Sequence, residues 1–110
     1  WYYLGRTYNK LKSHDGTIEA YRQALRINPG HAEAWYGLGR AYSRLNRHDD
    51  AIESYHQALR INPEGFAKIW YNIGVAHSLS GNRTAAMEVV QKLRHIDSEL
   101  ADKLLALIQW

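Results

Sequence analysis

The sequence contains no cysteine, one methionine and only two prolines. The lack of cysteine excludes a disulfide framework and a thiolate metal site, although it does not identify a compartment. No apolar run approaches the ~20 residues that a transmembrane helix needs, and no signal peptide is visible, which together favour a cytoplasmic location. The chain opens on Trp1 instead of methionine, so we expect it to be a segment of a longer protein.

Charge and glycine content bear on two further classes of function. The net charge of +3 is too small to argue by itself for nucleic-acid binding. No glycine-rich phosphate loop is present, because the glycines inside the apolar patterns stand singly.

The main feature of the sequence is an internal repeat. WYYLGRTYNKLKSHDGTIEAYRQALRINP begins at Trp1, and WYGLGRAYSRLNRHDDAIESYHQALRINP begins at Trp35, with 19 of 29 positions identical. The two copies are 34 residues apart. A weaker third copy begins at Trp70 and matches the second at 8 of 29 positions. A period of this size indicates a stacked array.

Each copy carries two helical patterns. Apolar or small residues recur at i, i+3, i+4 and i+7 in the first half of the second copy: Trp35, Leu38, Gly39 and Tyr42. We expect Asp49 to cap a second helix, which Asn62-Pro63 ends because the residue before proline avoids the α region. No segment shows the alternation of apolar and polar residues that is typical of a half-buried strand. The unit is therefore predicted to be a helical hairpin.

The repeat resembles the tetratricopeptide repeat, with its W-x2-L-G-x2-Y, A-x3-F, A and P pattern every 34 residues. The second copy matches at Trp35, Leu38, Gly39, Tyr42, Ala51, Tyr55, Ala58 and Pro63, and the first at Trp1, Leu4, Gly5, Tyr8, Tyr21, Ala24 and Pro29, with Thr17 in place of the usual alanine. The resemblance implies a single all-α domain, a right-handed superhelical stack of antiparallel helix hairpins. Its repeats would span 1–31, 32–65 and 66–98.

Residues 99–110 are predicted to form a capping helix with Leu100, Leu104, Leu107 and Ile108 on one face. The third copy contains one extra residue, which we place in the Pro63-Glu64-Gly65 turn. No capping helix precedes the first hairpin in this sequence, so we expect this hairpin to self-associate.

Small residues inside the helices are interpreted as packing positions. Gly39 and Ala51 would let two antiparallel backbones approach, with Trp35 and Tyr55 filling the space around them. The aromatic residues are therefore interpreted as framework, and no cofactor is predicted.

By the same resemblance, the first helix of each hairpin lines a concave groove that binds an extended peptide or a partner helix. The predicted peptide-binding residues are Tyr2, Arg6, Lys10, Tyr36, Arg40, Arg44, Lys68, Tyr71 and Asn72. Their wider neighbourhood holds five basic side chains against one carboxylate, that of Glu33. Concentrated positive charge predicts an acidic segment or a C-terminal carboxylate as ligand. The alternative is that these side chains only form the solvated face of surface helices.

One family variant clamps the C-terminal carboxylate of chaperone tails with lysine, asparagine and arginine side chains. At the matching places this sequence has Tyr2, Arg6, Gly37, Lys68 and Asn72, of which only Lys68 fits. Chaperone tails are therefore not the predicted ligand.

Catalysis and metal binding find little support. Ser13-His14-Asp15 places triad residue types side by side, where they cannot converge as a triad requires. None of the six histidines has the i, i+4 spacing of a helical zinc site, and no metal site is predicted. We therefore predict a binding module that is not an enzyme. The alternatives are single-stranded nucleic acid in the same groove and homotypic assembly through the array ends.

Overall fold

The computed structural model describes residues 1–10, 14–62 and 67–109, apart from the side chains of residues 9, 10 and 14. Within those ranges the chain forms α-helices and no strand, which confirms the all-α prediction. The helices are α1 (Tyr2–Lys10), α2 (His14–Ile27), α3 (Ala32–Arg44), α4 (His48–Ile61), α5 (Ala67–Leu79), α6 (Arg83–Ile96) and α7 (Ser98–Gln109).

The chain divides into two compact units, residues 1–63 and 64–110. In the first unit α1 packs on α2, α2 on α3, and α3 on α4, so that two hairpins stack. In the second unit α5 packs on α6, and α7 packs on both of them. The assignment of all 110 residues to one domain stays a prediction. The predicted place of the extra residue, Pro63-Glu64-Gly65, lies outside the described residues.

Helix ends follow local chemistry, with one correction. Helix α4 ends at Ile61, before Asn62-Pro63, as predicted. Asp49 is not its N-cap, because the helix starts at His48 and Arg47 holds the cap position without a side-chain cap bond. The Arg47 guanidinium instead pairs with the Asp50 carboxylate at 2.7 Å. Asp49 lies in the first turn of the helix, where its negative charge interacts favourably with the helix dipole.

The turns between α3 and α4 and between α5 and α6 each contain one residue in the left-handed backbone conformation, at equivalent positions of the repeat. Asn46 has φ of 60° and Gly81 has φ of 85°. Asparagine and glycine are the residues that tolerate this conformation best. The backbone N–H of the next residue donates to a carbonyl of the preceding helix: Arg47 to Tyr42 in one turn, and Asn82 to His77 in the other.

Glycines in the helices make room for aromatic rings, as the sequence predicted in general terms. A Cβ on Gly39 would lie 2.6 Å from the Tyr55 ring, so this ring fills the space beside the glycine. Trp35 is only half-buried, and its indole N–H donates to the carbonyl of Pro29 at 3.0 Å. The tyrosine of the second helix, more than the tryptophan, thus fills the centre of the hairpin.

The C-terminal helix α7 packs on α5 and α6, but not with the whole predicted face. Ala101, Leu104 and Ile108 are buried, whereas Leu107 is 48% exposed. The Leu104 side chain lies where a Cβ on Gly74 of α5 would be. Leu104 thus fills the space beside a helical glycine that tyrosine rings fill in the first unit.

Within residues 1–10, 14–62 and 67–109, no helix combines the length and apolar character needed to cross a membrane.

Candidate functional site

Tyrosine and arginine form a repeated stack on the first helices of the two hairpins in residues 1–63. The Arg6 guanidinium lies 5.9 Å from the centre of the Tyr2 ring, and the Arg40 guanidinium lies 5.8 Å from the centre of the Tyr36 ring. Both arginines are exposed and both tyrosines are half-buried. Because the spacing is i, i+4, the helix itself brings each pair together.

A buried tyrosine of the second helix supports each stack. The rings of Tyr2 and Tyr21 are 5.9 Å apart between centres, and those of Tyr36 and Tyr55 are 5.8 Å apart. Tyr2 also lies 4.6 Å from the His31 ring. These contacts restrict the orientation of the half-buried tyrosine rings and so position the arginines above them.

The arginines of both hairpins act on the same buried hydroxyl group. Burial raises the pKa of Tyr21 above its ordinary value of 10.0, and Tyr2 raises it further, while the positive charges of Arg6, Arg40 and Arg44 lower it. Positive charges on both α1 and α3 therefore favour the ionised form of this one hydroxyl group. Tyr2, Arg6, Tyr36, Arg40 and Arg44 are called the tyrosine–arginine face from here on.

Tyr55 shows the same pattern in the second hairpin. Burial raises the pKa of its hydroxyl well above the ordinary value, and Tyr36 adds to the increase. Arg40 and Arg44 act in the opposite direction. Positive charge is thus concentrated beside two neutral buried phenols.

The remaining predicted site residues lie elsewhere. Lys68, Tyr71 and Asn72 are on α5, in the unit of residues 64–110, where Lys68 is exposed and the other two are half-buried. The Lys10 side chain lies outside the described residues. The structure thus brings five of the nine predicted residues together on one face, and the role of all nine stays a prediction.

Sequence reasoning missed a cleft of about 400 Å³ between α2, α3 and α4. Its lining includes Trp35, Leu38 and Tyr42 of α3, Arg22 and Arg26 of α2, and Asp50 and Glu53 of α4. The Arg22 guanidinium donates a hydrogen bond of 2.5 Å to the Tyr42 hydroxyl. A pairing between residues 20 positions apart leaves no periodic signal in the sequence.

In the part of the chain that the structure describes, no group of three or more histidine, aspartate or glutamate side chains converges as a metal site would require. Ser13 of the Ser13-His14-Asp15 run lies outside the described residues, as does the His14 side chain. Asp15 is an exposed residue in the first turn of α2.

Family models agree with the geometry. Models described as tetratricopeptide repeat match residues 32–64 and 67–93, and one described as TPR repeat matches residues 5–46. No curated protein matches the chain significantly.

Solved structures of the same fold are numerous. The crystal structure of MamA is 33% identical, with a TM-score of 0.81 over 84% of this chain, and the chain spans about half of that protein, 51%. The second TPR domain of human RPAP3, in complex with the HSP70 peptide SGPTIEEVD, is 18% identical, with a TM-score of 0.87 over 96% of this chain and 89% of that one. The TPR2B domain of yeast Sti1, in complex with pHsp70, is 19% identical, with a TM-score of 0.83 over 96% of this chain and 88% of that one.

Proposed function

This chain belongs to the tetratricopeptide-repeat family, and on that premise we propose that it binds an acidic segment of another protein on the tyrosine–arginine face. We propose binding alone, with no catalysed reaction. The observation that carries it is the pair of equivalent stacks, Arg6 on Tyr2 and Arg40 on Tyr36, at 5.9 Å and 5.8 Å.

Related folds support a protein ligand. The RPAP3 and Sti1 domains hold HSP70 sequences, so a stack of these hairpins is able to bind a peptide. The HSP70 tail itself fits this chain poorly, because Tyr2 and Gly37 replace polar side chains of the family's carboxylate clamp. Gly37 has no side chain to donate a hydrogen bond, and the Tyr21 ring fills the space where one would begin.

The chemistry of the face favours carboxylates. An arginine held over a tyrosine ring keeps the N–H groups at the edge of its planar guanidinium available to a ligand, and these match the two oxygens of a carboxylate. The tyrosine beside it offers apolar area together with a hydroxyl group. A segment in which acidic and apolar side chains alternate would use both. Lys10 is proposed to extend the same surface, and Lys68, Tyr71 and Asn72 of α5 are proposed to contact peptide in the unit of residues 64–110.

Charge reversal tests the proposal. The probe is a short fluorescein-labelled peptide in which glutamate alternates with leucine, and binding is measured by fluorescence anisotropy. Replacing Arg6, Arg40 and Arg44 by glutamate should weaken binding by roughly a hundredfold or more, since each charge-assisted contact is worth about 1.5–3 kcal/mol.

The matched control reverses three exposed arginines of the second helices, Arg26, Arg60 and Arg94. Both triple variants change the net charge equally, so general electrostatic attraction would weaken binding equally in the two. Equal affinities in the two variants, or no binding by the unaltered chain, would refute the proposal.

Single-stranded nucleic acid is the competing ligand for a basic face with tyrosines. A labelled oligothymidine measured over a salt series separates the two, because phosphate contacts lower log K linearly with log salt concentration. Stronger binding of the oligonucleotide than of the acidic peptide at physiological salt, with a steep slope, would assign the face to nucleic acid.

A further inference from the structure

The cleft between α2, α3 and α4 lies on a different side of α3 from the tyrosine–arginine face. Its volume of about 400 Å³ falls in the range of about 300–1,000 Å³ that is typical of small-molecule sites. The described residues that line it lie between positions 22 and 54, all in the unit of residues 1–63. Those contributed by α3 are Trp35, Leu38 and Tyr42. At 3.6 residues per turn they lie on the side of α3 opposite Arg40, so the two surfaces are separate.

The base of the cleft is apolar. Helix α3 packs on both α2 and α4, so its side chains form the base. Leu38 and Tyr42 are buried there, together with Leu25 of α2. The half-buried Trp35 ring lines the same cleft, and its indole N–H donates to the Pro29 carbonyl at 3.0 Å, which restricts the orientation of the ring. The base thus offers a fixed apolar surface to the body of a ligand.

Two charged side chains of the lining are engaged by other groups of the protein. Arg22 of α2 donates to the Tyr42 hydroxyl at 2.5 Å, and its guanidinium lies 5.9 Å from the centre of that ring. Asp50 of α4 pairs with the Arg47 guanidinium at 2.7 Å, and this guanidinium lies 4.6 Å from the centre of the Tyr42 ring. These contacts join α2, α3 and α4 around Tyr42 and leave Arg22 and Asp50 less available to a ligand.

Arg26 and Glu53 also line the cleft, and they are not engaged in this way. Arg26 lies one helical turn beyond Arg22 on α2. Glu53 lies about one turn beyond Asp50 on α4. Both side chains are exposed, which places them at the mouth of the cleft, and within residues 1–10, 14–62 and 67–109 neither has a hydrogen bond or an ion pair. The mouth thus offers a positive charge on α2 and a negative charge on α4, above an apolar base.

We propose that this cleft binds a small zwitterion with an apolar body, the chemistry of a free α-amino acid with a large apolar side chain. The carboxylate of the ligand pairs with Arg26, whose planar guanidinium presents N–H groups that match two carboxylate oxygens. The ammonium group of the ligand pairs with the Glu53 carboxylate. The side chain of the ligand lies on Leu38 and on the Trp35 ring, where it is removed from water.

Charge complementarity selects this class of ligand. An anion would be attracted by Arg26 but repelled by Glu53, and a cation would meet the reverse, whereas a zwitterion pairs with both side chains at once. In a free α-amino acid both charged groups are bonded to one carbon atom, at the end opposite the tip of the side chain. This arrangement matches a mouth with two charges and an apolar base. A residue inside a polypeptide has no main-chain charge and would pair with neither Arg26 nor Glu53.

Titration of the isotope-labelled chain with L-leucine, followed by proton–nitrogen correlation NMR, tests the proposal. The reporter is the indole N–H signal of Trp35, and we expect it to shift saturably. N-acetyl-leucine lacks the ammonium group, leucinamide lacks the carboxylate, and glycine lacks the apolar body. Each of these three compounds should bind more weakly than L-leucine by roughly tenfold or more.

Substitutions in the cleft identify which group of the ligand each charge contacts. Arg26→Gln should weaken binding of L-leucine by roughly tenfold and remove the preference for L-leucine over leucinamide. Glu53→Gln should do the same to the preference over N-acetyl-leucine. The repeat supplies matched controls, Arg60→Gln and Glu19→Gln, because these residues lie 34 positions from Arg26 and Glu53. Both are exposed and neither is among the described residues that line the cleft, so both substitutions should leave binding unchanged.

Three results would overturn the proposal: no saturable binding of L-leucine, binding of glycine with equal affinity, or binding unaffected by Arg26→Gln and Glu53→Gln. N-acetyl-leucinamide carries neither charge and represents a leucine inside a protein segment. If it binds as tightly as L-leucine, the cleft accepts a protein segment and the proposal is wrong. Reversal of Arg6, Arg40 and Arg44 should leave leucine binding unchanged, so failure here and failure of the proposed function are distinguishable.

Discussion

The ring of Tyr21 lies against the backbone of Gly37 in the neighbouring hairpin. A Cβ on Gly37 would approach the ring to 2.6 Å, and a Cβ on Gly5, on α1, would approach it to 2.7 Å. One aromatic side chain of α2 therefore joins α1 to α3 through two positions that lack side chains. The ring cannot tilt away from one helix without approaching the other.

Gly37→Ala should therefore destabilise the protein, although alanine favours helix over glycine by roughly 1 kcal/mol. Overpacking costs about 1–3 kcal/mol, and the close approach of the ring places Gly37→Ala towards the upper end, so a net loss of about 1–2 kcal/mol should remain. Urea unfolding measures it. Gly30→Ala is the control, since the nearest atom to a new Cβ there is 3.5 Å away. A Gly37→Ala variant as stable as the unaltered chain would contradict the close approach.

The C-terminal helix offers a test within one helix. Leu104 is fully buried and Leu107 is 48% exposed. Leu104→Ala should cost about 2–5 kcal/mol of unfolding free energy, whereas Leu107→Ala should stay within roughly 0.5 kcal/mol of the unaltered chain. Thermal and urea unfolding of the two variants check this. Equal losses would show that α7 packs with the face that its sequence suggested.

The hydrogen bond from Arg22 to Tyr42 should contribute modestly to stability. Tyr42→Phe keeps the buried ring and removes the acceptor, so we expect a loss of about 0.5–1.5 kcal/mol. Tyr3→Phe is the control, because Tyr3 is 75% exposed. Chemical denaturation of both variants measures the difference, and an unchanged Tyr42→Phe stability would show that the bond contributes nothing.

Alkaline pH should weaken the fold through Tyr21 and Tyr55. Burial raises the pKa of both hydroxyls above 10.0, so the folded chain holds these protons more tightly than the unfolded chain. Their contribution is complete below the unfolded pKa near 10, and it is lost as pH rises from there through the folded pKa.

Unfolding free energies measured at neutral pH and above pH 10 check this. The loss on going to alkaline pH should be smaller in Tyr21→Phe and in Tyr55→Phe than in the unaltered chain, and Tyr3→Phe serves as the exposed control. Parallel pH profiles for all four proteins would contradict the effect of burial.

Local signals in the sequence predicted the helices well. The end of α4 at Ile61 follows from Asn62-Pro63, because proline restricts the residue before it whatever lies around. The predicted N-cap of α4 was wrong, because the helix begins at His48 and Asp49 therefore lies in its first turn. Arg47 occupies the cap position while its guanidinium pairs with Asp50 and lies 4.6 Å from the centre of the Tyr42 ring of α3.

The candidate site was predictable in part. Spacing of i, i+4 places Arg6 over Tyr2 and Arg40 over Tyr36, and this follows from helix geometry alone. The position of the Tyr21 ring between α1 and α3, the helices that carry Arg6, Arg40 and Arg44, depends on how two hairpins stack. Sequence periodicity predicts which residues share a face of one helix, but it contains no information on the distance between two helices.

By itself the sequence determined the repeat, its helices and the family, because a period of 34 residues and an apolar stripe are properties of the chain read in order. Only the tertiary structure decided that Tyr21 lies between Gly5 and Gly37, and that Leu104, not Leu107, fills the space beside Gly74. Those choices depend on which side chains fit together across helices, and close packing selects among faces that are equally apolar in the sequence.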